Sequence, residues 1–183
     1  MTGVMPAGRK RGVLTGLLIV LAVLAPCRAR AQEPDRTSLV PDVLKHVVFD
    51  PTTYAPAVLA YSATRQDWTT SQPFFDHGLN EMNARFTISG LANDAPISYR
   101  DGNRKIFIDS LVILELSAVG NAAGAVVEHA LVRRFPEHRT IVRRIGWAER
   151  IALASFLSYK LSNQHFRQAQ INSQLARRLG YAQ

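Results

Sequence analysis

Residues 105–135, KIFIDSLVILELSAVGNAAGAVVEHALVRRF, contain no proline and few charges. Strands run about 3–10 residues, so a stretch of this length reads as one helix, with residues 106–132 as its apolar body. Gly120 and Gly124 weaken it by roughly 1 kcal/mol each against alanine, and their missing side chains would let another helix approach closely. Residues 111–127 are apolar enough to cross a bilayer, yet Glu115 and Asn121 lie inside them, and Asp109 and Glu128 flank them. A charge at mid-bilayer costs on the order of 3 kcal/mol even on insertion scales. The favoured expectation is a core helix, apolar nearly all round because neighbours cover it. The alternative is a membrane-embedded helix in a polytopic membrane protein. In both settings Glu115 and Glu128 need partners, and arginines of the next helix are the natural candidates.

The remaining pattern is also helical. Pro51 and Thr52/Thr53 supply a start for a helix over 53–71, with Pro56 in its first turn, where no amide donor is needed. After Pro136, a helix over 137–161 carries Ile141, Ile145, Ala148, Ala152, Ser155 and Tyr159 as its expected core stripe. Ser162-Asn163 then reads as the cap of a separate helix over 164–179, with Ile171, Leu175 and Leu179 as its buried edge and Gly180 as its stop. Between these blocks, Pro73, Gly78, Gly90, Pro96 and Gly102 punctuate residues 72–103. A short helix over 75–83, strand-like alternation over 86–89 and a turn at Asn93-Asp94 are expected there. The expected fold is all-α: a small bundle of three to four main helices with one long irregular connection, about 72–103.

The chain opens with Arg9, Lys10 and Arg11, an apolar run over 13–25, and Ala29-Arg30-Ala31. This order of basic, apolar and small residues reads as a secretory signal peptide cleaved after Ala31. The apolar run is short beside the roughly 20 residues of a membrane span. The expected organisation is a signal peptide (1–31), a flexible arm (32–51) with one helical turn over 43–48, and a single helical domain (52–183). Arg9, Lys10, Arg11, Arg28 and Arg30 account for five of the 22 basic residues, and none of the 14 acidic residues lies in the leader, so cleavage drops the net charge from +8 to +3. That balance and an exported location argue against a nucleic-acid partner. Cys27 is the only cysteine and leaves with the leader, which excludes disulfides, thiol nucleophiles and c-type haem attachment in the mature chain.

Residues 67–86, DWTTSQPFFDHGLNEMNARF, are the densest in polar and aromatic groups. Asp67, Thr70, Gly78, Glu81 and Asn83 stand as D-x-x-T-x7-G-x-x-E-x-N. This resembles a pattern in small helical proteins of the bacterial inner membrane and envelope, and departs from it at Ala84, where those proteins usually carry proline. The resemblance implies a helical envelope protein and brings no activity with it. Read from the residues alone, the segment is a helix end and tight turn: Asp67, Thr70, Glu81 and Asn83 can bond exposed backbone groups, and Gly78 can take positive φ. The sharper reading is a pocket for a small polar ligand.

His77 and Glu81 share a helical face at i, i+4, but a transition-metal site takes three or four protein ligands. No H-x-x-x-H spacing occurs among His46, His129, His138 and His165, so no metal is expected. Glu128-His129 and Glu137-His138 are adjacent pairs, which do not face each other on a helix. No G-x-S-x-G, P-loop or G-x-G-x-x-G is present, so no catalytic residue or cofactor is assigned. A second polar patch, residues 146–170, offers Tyr159, His165 and Arg167, which could meet Asp67 and Glu81 across the bundle. The expected role is a non-enzymatic exported protein of the periplasm or cell envelope, structural or interaction in type, with an envelope protein or membrane surface as partner. The alternative is an enzyme or small-ligand-binding protein using Asp67, Glu81 and His165.

Overall fold

The computed structural model describes residues 39–181; the leader and the first part of the arm lie outside them. Residues 39–49 form a short helix, α1 (Leu39–Leu44), continued by a π turn, Lys45–Phe49, and pack along the long apolar helix. Asp50 caps the 3₁₀ turn Pro51–Thr53 by accepting from the Thr52 amide at 3.0 Å.

Helix α2 (Ala55–Asp76) runs past the expected end at 71 and keeps Pro73 inside it. It stops in a Schellman motif: Gly78 has φ +82°, its amide donates to Phe75 and the Leu79 amide donates to Phe74. The helix expected over 75–83 is therefore not formed, because positive φ at Gly78 ends the helix that already contains Phe75. Residues 86–89 form no strand either. The connection holds a 3₁₀ turn, Ala84–Phe86, and two isolated antiparallel bridges, Glu81 with Asp94 and Thr87 with Pro96.

Helix α3 (Tyr99–Arg134) begins earlier than expected because Ser98 caps it, accepting from the Asp101 amide at 3.1 Å and donating to the Asp101 carboxylate at 2.6 Å. Helix α4 (Arg139–Leu179) is continuous. Ser162 and Asn163 start no new helix: the Ser162 hydroxyl donates to the Ser158 carbonyl within the same helix. Gly180, at φ +73°, ends α4.

Cross-helix contacts fix the directions. Asp50 meets Arg150, Asp67 meets His165, and Phe74 meets Tyr181, so α2 and α4 run parallel. Thr53 meets Asn121 and Trp68 meets Tyr99, so α3 runs antiparallel to both. The aromatic core is small: Trp68, Phe86 and Ile106, with Tyr61, Phe75 and Ile97 around them. Gly102 makes it possible, since a Cβ there would lie 2.3 Å from the Trp68 indole.

Elsewhere, apart from Phe74, the buried residues are mostly small or polar: Ala57, Ala60 and Ala63 on α2; Ser110, Asn121 and Ala125 on α3; Ala154, Ser158, Ser162, Ala169, Asn172 and Ala176 on α4. The expected α4 stripe is on the outside, with Ile141, Ile145, Ala148, Ala152, Ser155 and Tyr159 all exposed, as are Ile171, Leu175 and Leu179. Helix α3 is likewise not covered: only 17% of its most apolar stretch is buried. Gly120 and Gly124 admit no close helix, for a Cβ at either meets nothing within 4 Å. Glu115 is exposed and has no ion-pair partner among the described residues, so its expected pairing fails.

Candidate functional site

Two polar clusters bind the helices together. The first joins the arm to α3 and α4. Arg150, 7% exposed, donates through Nε to Asp50 and through Nη1 to Glu128, both at 3.0 Å. Glu128 thus has the arginine partner its apolar helix demands. The Glu128 carboxylate reaches into the space that a side chain on Gly146 would fill, 2.6 Å from its Cβ position. Asn121 donates to the Thr52 and Thr53 hydroxyls at 2.9 and 2.6 Å. Burial pushes the Asp50 carboxyl pKa up, but the Thr52 hydroxyl and amide and then the Arg150 charge outweigh it, holding the carboxyl below its usual range. This cluster is closed on itself, with each group satisfied by protein.

The second cluster opens on a cleft of ≈ 610 Å³ between the C-terminal half of α2, residues 79–86 and α4. His165 Nδ1 donates to the Asp67 carboxylate at 2.8 Å. Asn172 donates to the other Asp67 oxygen at 3.3 Å and to Ser71 at 3.0 Å, while Gln168 donates to Asn172 at 2.8 Å. Trp68, Phe74, Phe75 and Phe86 give the cleft an aromatic lining beside this polar wall. With Nδ1 turned to Asp67, Nε2 is the ring nitrogen left for another partner. No hydroxyl of the described residues bonds Nε2, so the pair lacks the adjoining nucleophile that triad chemistry uses. The arrangement can hold a ligand that offers a donor to the imidazole and an apolar body to the rings.

Of the residues singled out by sequence, Asp67, Glu81, Asn83 and His165 line this cleft. Glu81 and Asn83 spend their side chains on the local turn, accepting from the Asn83 and Arg85 amides at 2.6 and 3.1 Å. Thr70 is tied to the Asp67 carbonyl at 3.0 Å and does not line the cleft. His77 lies outside it, stacked on Tyr181 with centroids 3.6 Å apart. Tyr159 and Arg167 are exposed and away from the cleft. In an unbroken α4 they stand roughly 120° and 160° around the axis from His165, at about 100° per residue.

Ser71, Gln168 and Asn172 complete the polar wall around Asp67 and were not among the predicted site residues. Their signal was spacing: Asp67 and Ser71 at i, i+4, and His165, Gln168 and Asn172 at i, i+3, i+7, each set on one helical face. Among the described residues, no three His, Cys, Asp or Glu side chains gather to hold a metal. Comparison with protein-family models, curated proteins and solved structures finds no match to this chain.

Proposed function

We propose that the chain is a membrane-associated helical protein of the cell envelope, exported by its leader and acting as an interaction module through the bundle it presents. One observation carries this reading: the side chains are distributed inside out. Small and polar residues face the helix contacts, while Phe107, Leu111, Leu116, Val119, Ile151, Leu153 and Phe156 are exposed. In water such a face would be an unusually large apolar patch. In a bilayer it is what lipid requires, since small residues let helices approach and polar residues face the bundle interior, as Asn121 does and the exposed Glu115 does not. The stretch over 111–127 spans about 25 Å at ~1.5 Å per residue, near the roughly 30 Å hydrocarbon core. The D-x-x-T…G-x-x-E-x-N resemblance to bacterial envelope proteins supports the same reading. Alkaline carbonate extraction of envelopes tests it: the protein should stay in the pellet, and its release to the supernatant would overturn the reading.

The Asp67–His165–Asn172 wall favours a second, compatible reading, a binding site for a small amphipathic molecule. Ligand-observed NMR with a panel of small aromatic hydrogen-bond donors should detect binders that His165→Ala no longer retains. A panel with no binder, or binding indifferent to His165, would remove it.

A further inference from the structure

We propose that the tip of the α3–α4 hairpin docks on anionic phospholipid headgroups, with Arg139, Arg143, Arg144 and Trp147 as the set that meets the phosphate. This rests on the membrane reading and adds a lipid charge preference to it.

The tip is strongly one-signed. Arg133 and Arg134 close α3, and Arg139, Arg143 and Arg144 open α4. Between Glu128 and Glu149 the only acid is Glu137, whose carboxylate lies 3.8 Å from His138 Nε2. All five arginines are exposed, and none reaches a carboxylate among the described residues. Two arginines elsewhere find acids, Arg150 with Asp50 and Glu128 and Arg85 with Asp109, while Arg65, Arg100, Arg104, Arg167, Arg177 and Arg178 have no ion pair among the described residues. At the opposite end of the bundle, however, Asp76, Glu81, Asp94 and Asp101 stand among the basic residues, so the tip is the more one-signed end.

That concentration opposes the helix it sits on. Arg139 and Arg143 repel at i, i+4, and cations in the first turns of a helix oppose its macrodipole. An anion from outside the chain would relieve both. Arg139, Thr140, Arg143, Arg144 and Trp147 line a shallow groove of ≈ 510 Å³ along the start of α4. Guanidinium forks bond phosphate oxygens in pairs, and an exposed Trp beside them suits the headgroup level, where its ring is half in oil and its N–H in water. Trp147 is 60% exposed.

Position selects a bilayer over a soluble phosphate or an acidic protein. The arginines lie beyond the end of the exposed apolar band, residues 111–127 of α3 and 151–161 of α4, with Arg133 six residues past the first and Arg144 seven residues before the second. A bilayer that received the band would carry its phosphates to the level of the tip.

Flotation of the full-length protein with vesicles tests this. One set is phosphatidylcholine alone; the other is phosphatidylcholine mixed with phosphatidylglycerol. The wild type should float with both and prefer the anionic set by roughly a hundredfold at low ionic strength, a preference that salt erodes. The triple variant R139Q/R143Q/R144Q should keep its helicity by circular dichroism, still float with phosphatidylcholine, and lose the preference. Equal binding of the wild type to both vesicles overturns the headgroup inference while the membrane reading stands. Binding to neither overturns both. A preference that survives in the triple variant places the anionic contact elsewhere and refutes the assignment. So does self-association that the triple variant abolishes without any lipid preference, which would give the tip to a second copy of the chain.

Discussion

Arg150→Met should be among the most damaging single changes to the bundle. The guanidinium is nearly sealed from solvent and makes two 3.0 Å bonds, to Asp50 and to Glu128, whose side chains are themselves only 14% and 10% exposed. Methionine fills much of the stem volume, so the loss is electrostatic rather than a cavity. Two carboxylates lose their arginine, Glu128 keeping only the His46 imidazole 4.0 Å away, and removing one partner of a buried ion pair costs about 3–5 kcal/mol. At about 2–4 °C per kcal/mol for a chain of this size, the melt should fall by roughly 10 °C. Glu128→Gln should cost less, about 1–2 kcal/mol, because its amide oxygen still accepts from Arg150 and Arg150 keeps Asp50. The double variant should be more stable than Arg150→Met alone, since it removes one of the two stranded charges. Circular dichroism melts in one detergent at neutral pH read all three. If Arg150→Met melts with the wild type, or the double variant is no better than the single, the cluster does not anchor the arm and the reasoning fails.

Other expectations follow from the same packing. Gly102→Ala places a methyl about where the Trp68 indole lies, 2.3 Å away, so it should cost about 1–3 kcal/mol and shift the tryptophan emission; an unchanged spectrum and melt would show that the indole has room to move. Phe74→Ala, at a buried ring beside the cleft, should cost about 3–5 kcal/mol, whereas Glu81→Ala, which loses one turn-capping bond, should cost about 1 kcal/mol; the reverse order of melting temperatures would contradict the packing. Because the folded Asp50 carboxyl is held below its reference value of 3.8, its contribution is present above that pH and is lost as pH falls through the folded value. The gap in stability between wild type and Asp50→Asn should therefore be full at neutral pH and close below about pH 4, and a gap that widens on acidification would reverse the assigned sign.

Helix ends were legible because their chemistry is local. Gly180 stops α4 as expected, and Gly78 takes the positive φ expected of it at a helix end and tight turn. Ser98 with Asp101 was readable as a capping pair, and overlooking it set the start of α3 too late. The meeting of Asp67 with His165 was legible as two polar patches in need of each other, although only spacing on each helix tells which neighbours join them. Tyr159 and Arg167 were misplaced for a physical reason. A serine and an asparagine together looked like a cap at 162–163, but inside a packed helix a serine can bond its own i−4 carbonyl, as Ser162 does. With α4 unbroken, those two side chains turn away from His165.

The deeper error lies in what periodicity was taken to mean. A stripe of large apolar residues marks the core only if the surroundings are water. On α4 the stripe through Ile141, Ile145 and Tyr159 is exposed, and the contact face is Arg150, Ala154, Ser158, Ser162, Ala169, Asn172 and Ala176. On α2 the same service is given by Ala57, Ala60 and Ala63. Small side chains bring backbones close enough for dispersion contacts to add up along the whole length, and the polar ones then bond across the narrow gap, as Asn172 does to Ser71 and Asp67. Glu115 runs against the inversion, since a carboxylate on a lipid-facing side would be costly. Expected inside because its helix is apolar, it is outside because the apolar side of that helix is the outer one. The apolar period is present, and on α4 it marks the outer face rather than the core.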